Sequence, residues 1–144
     1  WAFIALIAIP LAVAIAEVDV AGTPPPKVAL VPNAPGRVDV KGLGAEIAIK
    51  NAKAGEVTLI SFALFDAAGQ PVTDLQPYLG AMGHLVVLSA DGKQFVHSHP
   101  AEGKTARGTV AFETHFPNPG IYKGWGQFQR LDSVNNVPFV VEVK

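Results

Sequence analysis

"GHLVVLSADGKQFVHSHP" (residues 83–100) sets two β-rich runs around Ala90-Asp91-Gly92-Lys93 and carries three of the chain's four histidines. An Asp-Gly pair between alternating apolar residues is a strong hairpin signal, because it accepts the positive φ angles of a type I′ turn. If Ala90 pairs with Lys93 across that turn, His84 faces His99 and Val86 faces His97. A four-residue loop closing on Ser89 and Gln94 gives the same register. Side chains alternate faces with period two, so His84, Val86, Leu88, Phe95, His97 and His99 share one face. Directly opposed β-carbons lie about 4.5–5.5 Å apart, within reach of a common ion. A turn of odd length would reverse the parity and scatter the imidazoles. On this reading Leu88 and Phe95 enter the core, and His84 and His99 sit at one end of the fold beside "YLGAMG" (78–83).

Working outward, short β-rich runs recur on both sides, at 27–32, 37–42, 45–51, 56–66, 83–89, 93–99, 107–116, 120–129 and 137–144. "DAAGQP", "ADGK" and "FPNPG" punctuate them as turns. Many short strands with such turns predict an all-β antiparallel β-sandwich. "VTDLQPYLGAM" (72–82) is the one long connection, with room for one helical turn, and it runs straight into the histidine hairpin. "GLGAE" (42–46) is no dinucleotide fingerprint, and its glycines suit a turn. Tyr122, Trp125 and Phe128 in "GIYKGWGQF" suit core packing, with the tyrosine anchoring a sandwich corner.

The chain has 144 residues, enough for one domain with its own core. Its net charge of −1 leaves no electrostatic footprint for nucleic acid. The absence of cysteine excludes disulfides, thiolate catalysis and cysteine-ligated copper centres. Only 16% of residues are charged and 49% are hydrophobic, with a mean hydropathy of +0.31. A membrane segment accounts for that excess.

"WAFIALIAIPLAVAIA" (1–16) carries no charge. As a helix it covers roughly 24 Å at 1.5 Å per residue, somewhat short of a ~30 Å hydrocarbon core. Val18 and Val20, or residues before Trp1, would complete the span. A cleaved signal peptide has an apolar region of similar length, and a buried core helix is the other alternative. We expect an uncleaved transmembrane helix over 1–18 lying in the lipid bilayer. Glu17 and Asp19, with no cation until Lys27, place its C-terminal side outside the cytoplasm. Residues 19–27, with Pro24, Pro25 and Pro26, form a semi-rigid proline-rich linker. Residues 28–144 form the extracytoplasmic β-sandwich. The expected location is the bacterial inner membrane, single-pass, with this domain in the periplasm.

His84, His97 and His99 are the candidate metal ligands, with Met82, two residues before His84, as a fourth. Imidazole with thioether suits copper in either oxidation state, and imidazoles alone also suit zinc. A hydrogen-bonded structural cluster, capping backbone carbonyls at the strand ends, is the competing reading. His115 alternates with Thr114 and Phe116 before "FPNPG" and is expected to face solvent.

"FDAAGQPVTDLQPYLGAMGHLVVLSADGKQFVHSHP" (65–100), followed by "FPNPGIYKGWGQFQ" (116–129), resembles a group of exported bacterial domains. Their signature is a PYLGAxGHLV segment, an HxHP strand end and a PGxYKxWxQF hairpin. The likeness covers about residues 56–143. It implies a cupredoxin-like or immunoglobulin-like sandwich, and copper binding or association with heavy-metal proteins. Carried over residue by residue, it marks Met82, His84, His97 and His99 as ligands. Blue-copper proteins need a cysteine between their histidines, and this chain has none, so electron transfer through such a centre is not expected.

Serine-nucleophile motifs, phosphate-cradling loops and paired acids at a plausible site are missing, so the expectation is a non-catalytic protein. Two roles follow. The first is an accessory subunit of an integral-membrane complex of respiratory or photosynthetic type, for which Ala2, Ala5, Ala8, Ala12 and Ala16 offer a helix-packing seam. The second is a membrane-tethered copper or zinc binding and delivery module built on the histidine cluster.

Overall fold

The computed structural model describes residues 18–34, 36–101 and 106–144 in full; of the segment expected as a membrane helix over 1–18 it describes the backbone of Ala2–Ile9 and Ala12–Asp19, paired as antiparallel strands and not as a helix. No helix of the described residues is long and apolar enough to cross a membrane, which says nothing of spans made from strands. The described fold is all-β.

Eight strands make up the described body: β1 (Arg37–Val40), β2 (Leu43–Lys50), β3 (Val57–Phe65), β4 (His84–Ser89), β5 (Phe95–Ser98), β6 (Thr109–His115), β7 (Gly120–Arg130) and β8 (Ser133–Val143). They form two four-stranded antiparallel sheets, ordered β1-β2-β3-β6 and β8-β7-β4-β5. Alternation along each strand decides which side chains meet between the sheets. On β3, Thr58, Ile60, Phe62 and Leu64 are buried while Leu59, Ser61, Ala63 and Phe65 are partly exposed. Phe62 reaches across the sandwich-like interior, its ring edge-on to Phe128 at 5.2 Å and Phe139 at 5.8 Å. The "YKGWGQF" run of β7 explains how these rings fit. A Cβ on Gly124 would lie 2.3 Å from the Phe139 ring, and one on Gly126 would lie 2.7 Å from that of Phe62. The inward glycines are the sockets for aromatic rings.

The hairpin register is the expected one: Leu85 pairs with Ser98, Val86 with His97, Val87 with Val96 and Leu88 with Phe95. Of the two turns compatible with it, the four-residue loop forms. Ser89 N–H donates to Gln94 O at 3.0 Å and Gly92 N–H to Ser89 O at 2.8 Å. Only Gly92 in this loop takes positive φ, 72°, so the two-residue type I′ turn is absent. Asp91 knits the loop by accepting from the Ser89 hydroxyl and, at 3.1 Å, from Lys93 N–H. These donors hold its carboxyl below the ordinary value.

Four local expectations need correction. Leu88 and Phe95 do not enter the core; Leu85 and Val87 do, fully buried, so the histidine face is the outer face of its sheet. Trp125 likewise points outward, half-buried, with the Lys123 ammonium 5.5 Å from its ring centroid, whereas Tyr122 and Phe128 are core residues. Residues 27–32 form no strand: prolines 26 and 32 bound the run and lack amide donors, leaving Val28 and Val31 exposed. Asn33 docks there, donating its N–H to Val140 O and accepting Val140 N–H on its side-chain oxygen. The 72–82 connection contains no helical turn; it makes a tight reversal at Leu79-Gly80, with Tyr78 and Ala81 exchanging backbone hydrogen bonds.

Candidate metal centre

His84 opens β4, where its neighbour on β7 is Gln127 and the opposite side of the strand is core. It is 4% exposed, deep for an imidazole on an outer face. The cover comes from the 72–82 connection, whose Tyr78 ring stands edge-on to His84 with centroids 5.6 Å apart. The two residues of the reversal both have positive φ, 48° at Leu79 and 83° at Gly80. That conformation turns the Tyr78 carbonyl onto the imidazole, 2.8 Å from Nε2. A carbonyl only accepts, so Nε2 carries the proton and Nδ1 is left as the ring's lone pair.

His97 lies on β5 opposite Val86, and His99 follows two residues later, just past the strand end. The period of two returns both to the outer face. Past His99 the chain crosses to the other sheet: Pro100 bridges to Phe112 and Ala101 N–H donates to Ala111 O at 2.8 Å. Ser98, facing the other way, ties the crossing down by donating its hydroxyl to Glu113 O at 2.7 Å. The HSHP run thus anchors through Ser98 and presents its two imidazoles outward.

The three rings converge. Centroids are 5.6 Å apart for His84–His97, 5.0 Å for His84–His99 and 4.9 Å for His97–His99. One nitrogen from each lies within 4.8 Å of the others. His97 Nε2 and His99 Nε2 are 3.3 Å apart. Two nitrogens each about 2.0–2.1 Å from a tetrahedral ion are separated by about 3.3 Å, so this pair already has the spacing of co-ligands. Partial desolvation of the ring, then the proximity of His99 and His84, pushes the His97 pKa below its ordinary value. That favours the neutral ring, the form that binds metal. His84, with its second nitrogen donating to a backbone carbonyl, has the orienting partner typical of a metal-ligating histidine.

Of the four candidate ligands, the structure brings three together. Met82 is half-buried and lines a cavity with Val72, Leu75, Gly108 and Thr109. His115 is exposed on β6, as expected. Sequence reasoning missed Tyr78, whose contribution is a backbone carbonyl and leaves no mark on residue type. The nearest signal was the Leu-Gly turn after it. Phe95, stacked nearly parallel to His97 with centroids 6.3 Å apart, was placed in the core instead of beside the site.

No curated protein and no solved structure is similar enough to the chain to show kinship. A family model matches residues 38–144, from the first strand of the sandwich to the last residue and about three quarters of the chain. The chain therefore belongs to the DUF8832 family, described as a domain of unknown function.

Proposed function

We propose that this domain binds one transition-metal ion, copper or zinc, through His84, His97 and His99, and serves as a tethered metal-binding or delivery module. The observation that carries the reading is the convergence of three imidazole nitrogens within 4.8 Å, from two strands and the residue just past one of them. The carbonyl-oriented His84 adds to it, because its proton is committed to Tyr78 O and its other ring nitrogen is left as a lone pair for an ion. Neutral nitrogen donors suit zinc and copper and disfavour magnesium or calcium, which require oxygen. The resemblance to exported copper-associated domains supports the same class, and two facing four-stranded sheets are compatible with its cupredoxin-like or immunoglobulin-like topology. The test is metal content after equilibration with zinc or copper and desalting. One equivalent is expected in the wild type and none in a His84→Ala/His99→Ala double variant. Stoichiometric metal persisting in that variant would refute the site.

A second reading is a non-catalytic accessory subunit docked on an integral-membrane complex at the bacterial inner membrane. It is supported by the half-buried apolar stripe of Val86, Leu88, Phe95 and Trp125 on the outer face. The uncharged stretch 1–16 supports a bilayer anchor beside it. Extraction of native membranes in mild detergent discriminates: co-migration with larger subunits supports docking, and migration alone at 15.1 kDa plus micelle removes it.

A further inference from the structure

Resting on the metal-binding reading, we infer that a divalent ion held by His84, His97 and His99 keeps one coordination position open to solvent and fills it with a small anion. Three observations carry this. First, the chain supplies three ligands and no more from the residue types that bind such ions best: among the described residues, no aspartate, glutamate or further histidine joins the cluster. Zinc and copper take at least four ligands in protein sites of this kind, and a three-histidine set is the one that leaves a position for an exogenous group.

Second, the imidazoles are disposed asymmetrically. His84 is buried under the Tyr78 reversal, whereas His97 and His99 are exposed. An ion seated among them is covered from the His84 side and faces solvent between the other two rings. Two side chains near by register have other hydrogen-bond partners. Ser98 is committed to Glu113 O on the inner side. Gln127, which pairs with His84, donates its amide to Asn136 at 3.0 Å.

Third, charge selects the ligand. Three neutral imidazoles leave the full double charge on a divalent ion, and no carboxylate stands in the cluster to offset it. The flanking amides of Gln127 and Asn136 are uncharged, and Lys123 projects from the same outer face, beside Trp125. A site of net positive charge with a vacant position facing water recruits a small monoanion, hydroxide included.

The experiment loads the full chain with one equivalent of Cu(II) and titrates it with sodium azide, following the visible spectrum and the electron paramagnetic resonance signal. A new azide-to-copper charge-transfer band that saturates, with a matching change in the resonance parameters, is expected. A Met82→Leu variant, which removes the thioether, should leave the azide-free spectrum unchanged and the titration intact. Stoichiometric copper whose spectrum does not respond to azide overturns this inference and leaves the three-histidine site standing. A shifted azide-free spectrum in that variant does the same, by showing that the chain itself fills the position. Failure to hold either copper or zinc, or copper unaffected by the His84→Ala/His99→Ala change, removes the metal-binding proposal together with this inference.

Discussion

His84 Nε2 lies 2.8 Å from the carbonyl oxygen of Tyr78, so a backbone group six residues upstream fixes which nitrogen of the buried imidazole is free. The three histidines are therefore unequal. His84→Ala removes a buried ring and its hydrogen bond and should cost about 2–3 kcal/mol in urea denaturation. His97→Ala or His99→Ala, at exposed positions, should cost less than about 1 kcal/mol. All three should abolish stoichiometric metal binding. Equal stability losses with metal retained in any of them would show a structural cluster.

The reversal that presents the Tyr78 carbonyl can be tested on its own. Leu79 has φ 48° and is 77% exposed, a strained conformation for a branched side chain that earns no burial in return. Leu79→Gly should stabilise the protein by about 0.5–1 kcal/mol and leave metal affinity unchanged. Gly80→Val, at φ 83°, should instead displace the carbonyl and weaken metal binding by about 10–100-fold. Isothermal titration of the two variants separates these outcomes.

The outward facing of the site depends on glycine sockets beneath it. Gly124→Ala would place a methyl 2.3 Å from Phe139 and should destabilise by about 1–3 kcal/mol. Adding Phe139→Leu to Gly124→Ala should recover part of that loss. The double-mutant coupling measured by denaturation is the readout, and strict additivity would contradict the steric account.

Tyr122 anchors the turn before β7, its hydroxyl donating to Asn118 O at 2.8 Å and lying 2.7 Å from the Gln94 side-chain amide. Tyr122→Phe keeps the packing and removes the donor. A loss of about 1–2 kcal/mol is expected, with the hairpin loop around Gln94 showing faster amide exchange.

The metal-free protein should lose stability in mild acid. The pKa of His97 is lowered in the fold, first by partial desolvation and then by His99 and His84, so the unfolded chain binds the proton more readily. Its contribution is fully present above the unfolded value of about 6.5 and is lost as pH falls through the lower folded value. The urea midpoint of wild type should drop below about pH 6.5 more steeply than that of His97→Asn. Parallel pH profiles for the two proteins would sink this assignment.

Much of the hairpin was legible in the sequence, since an even-length reversal around Asp91-Gly92 and a period of two settle both the register and the shared side of His84, His97 and His99. These are local properties of the chain, set by backbone stereochemistry within eighteen residues. Which side would face the interior was not legible. "HLVVLS" is apolar on both faces, with Leu85 and Val87 on one and Val86 and Leu88 on the other, so hydrophobicity alone does not choose. The choice was made by the neighbouring strand, where Gly124 and Gly126 open sockets for Phe139 and Phe62 on the inner side and Lys123 and Trp125 occupy the outer. Packing against a second sheet is a long-range event, and only the tertiary structure records it. The same is true of the Tyr78 carbonyl, whose position comes from a turn in a connection with no periodic pattern. The histidines' company was written in the chain; their exposure and the orientation of His84 were decided by the fold.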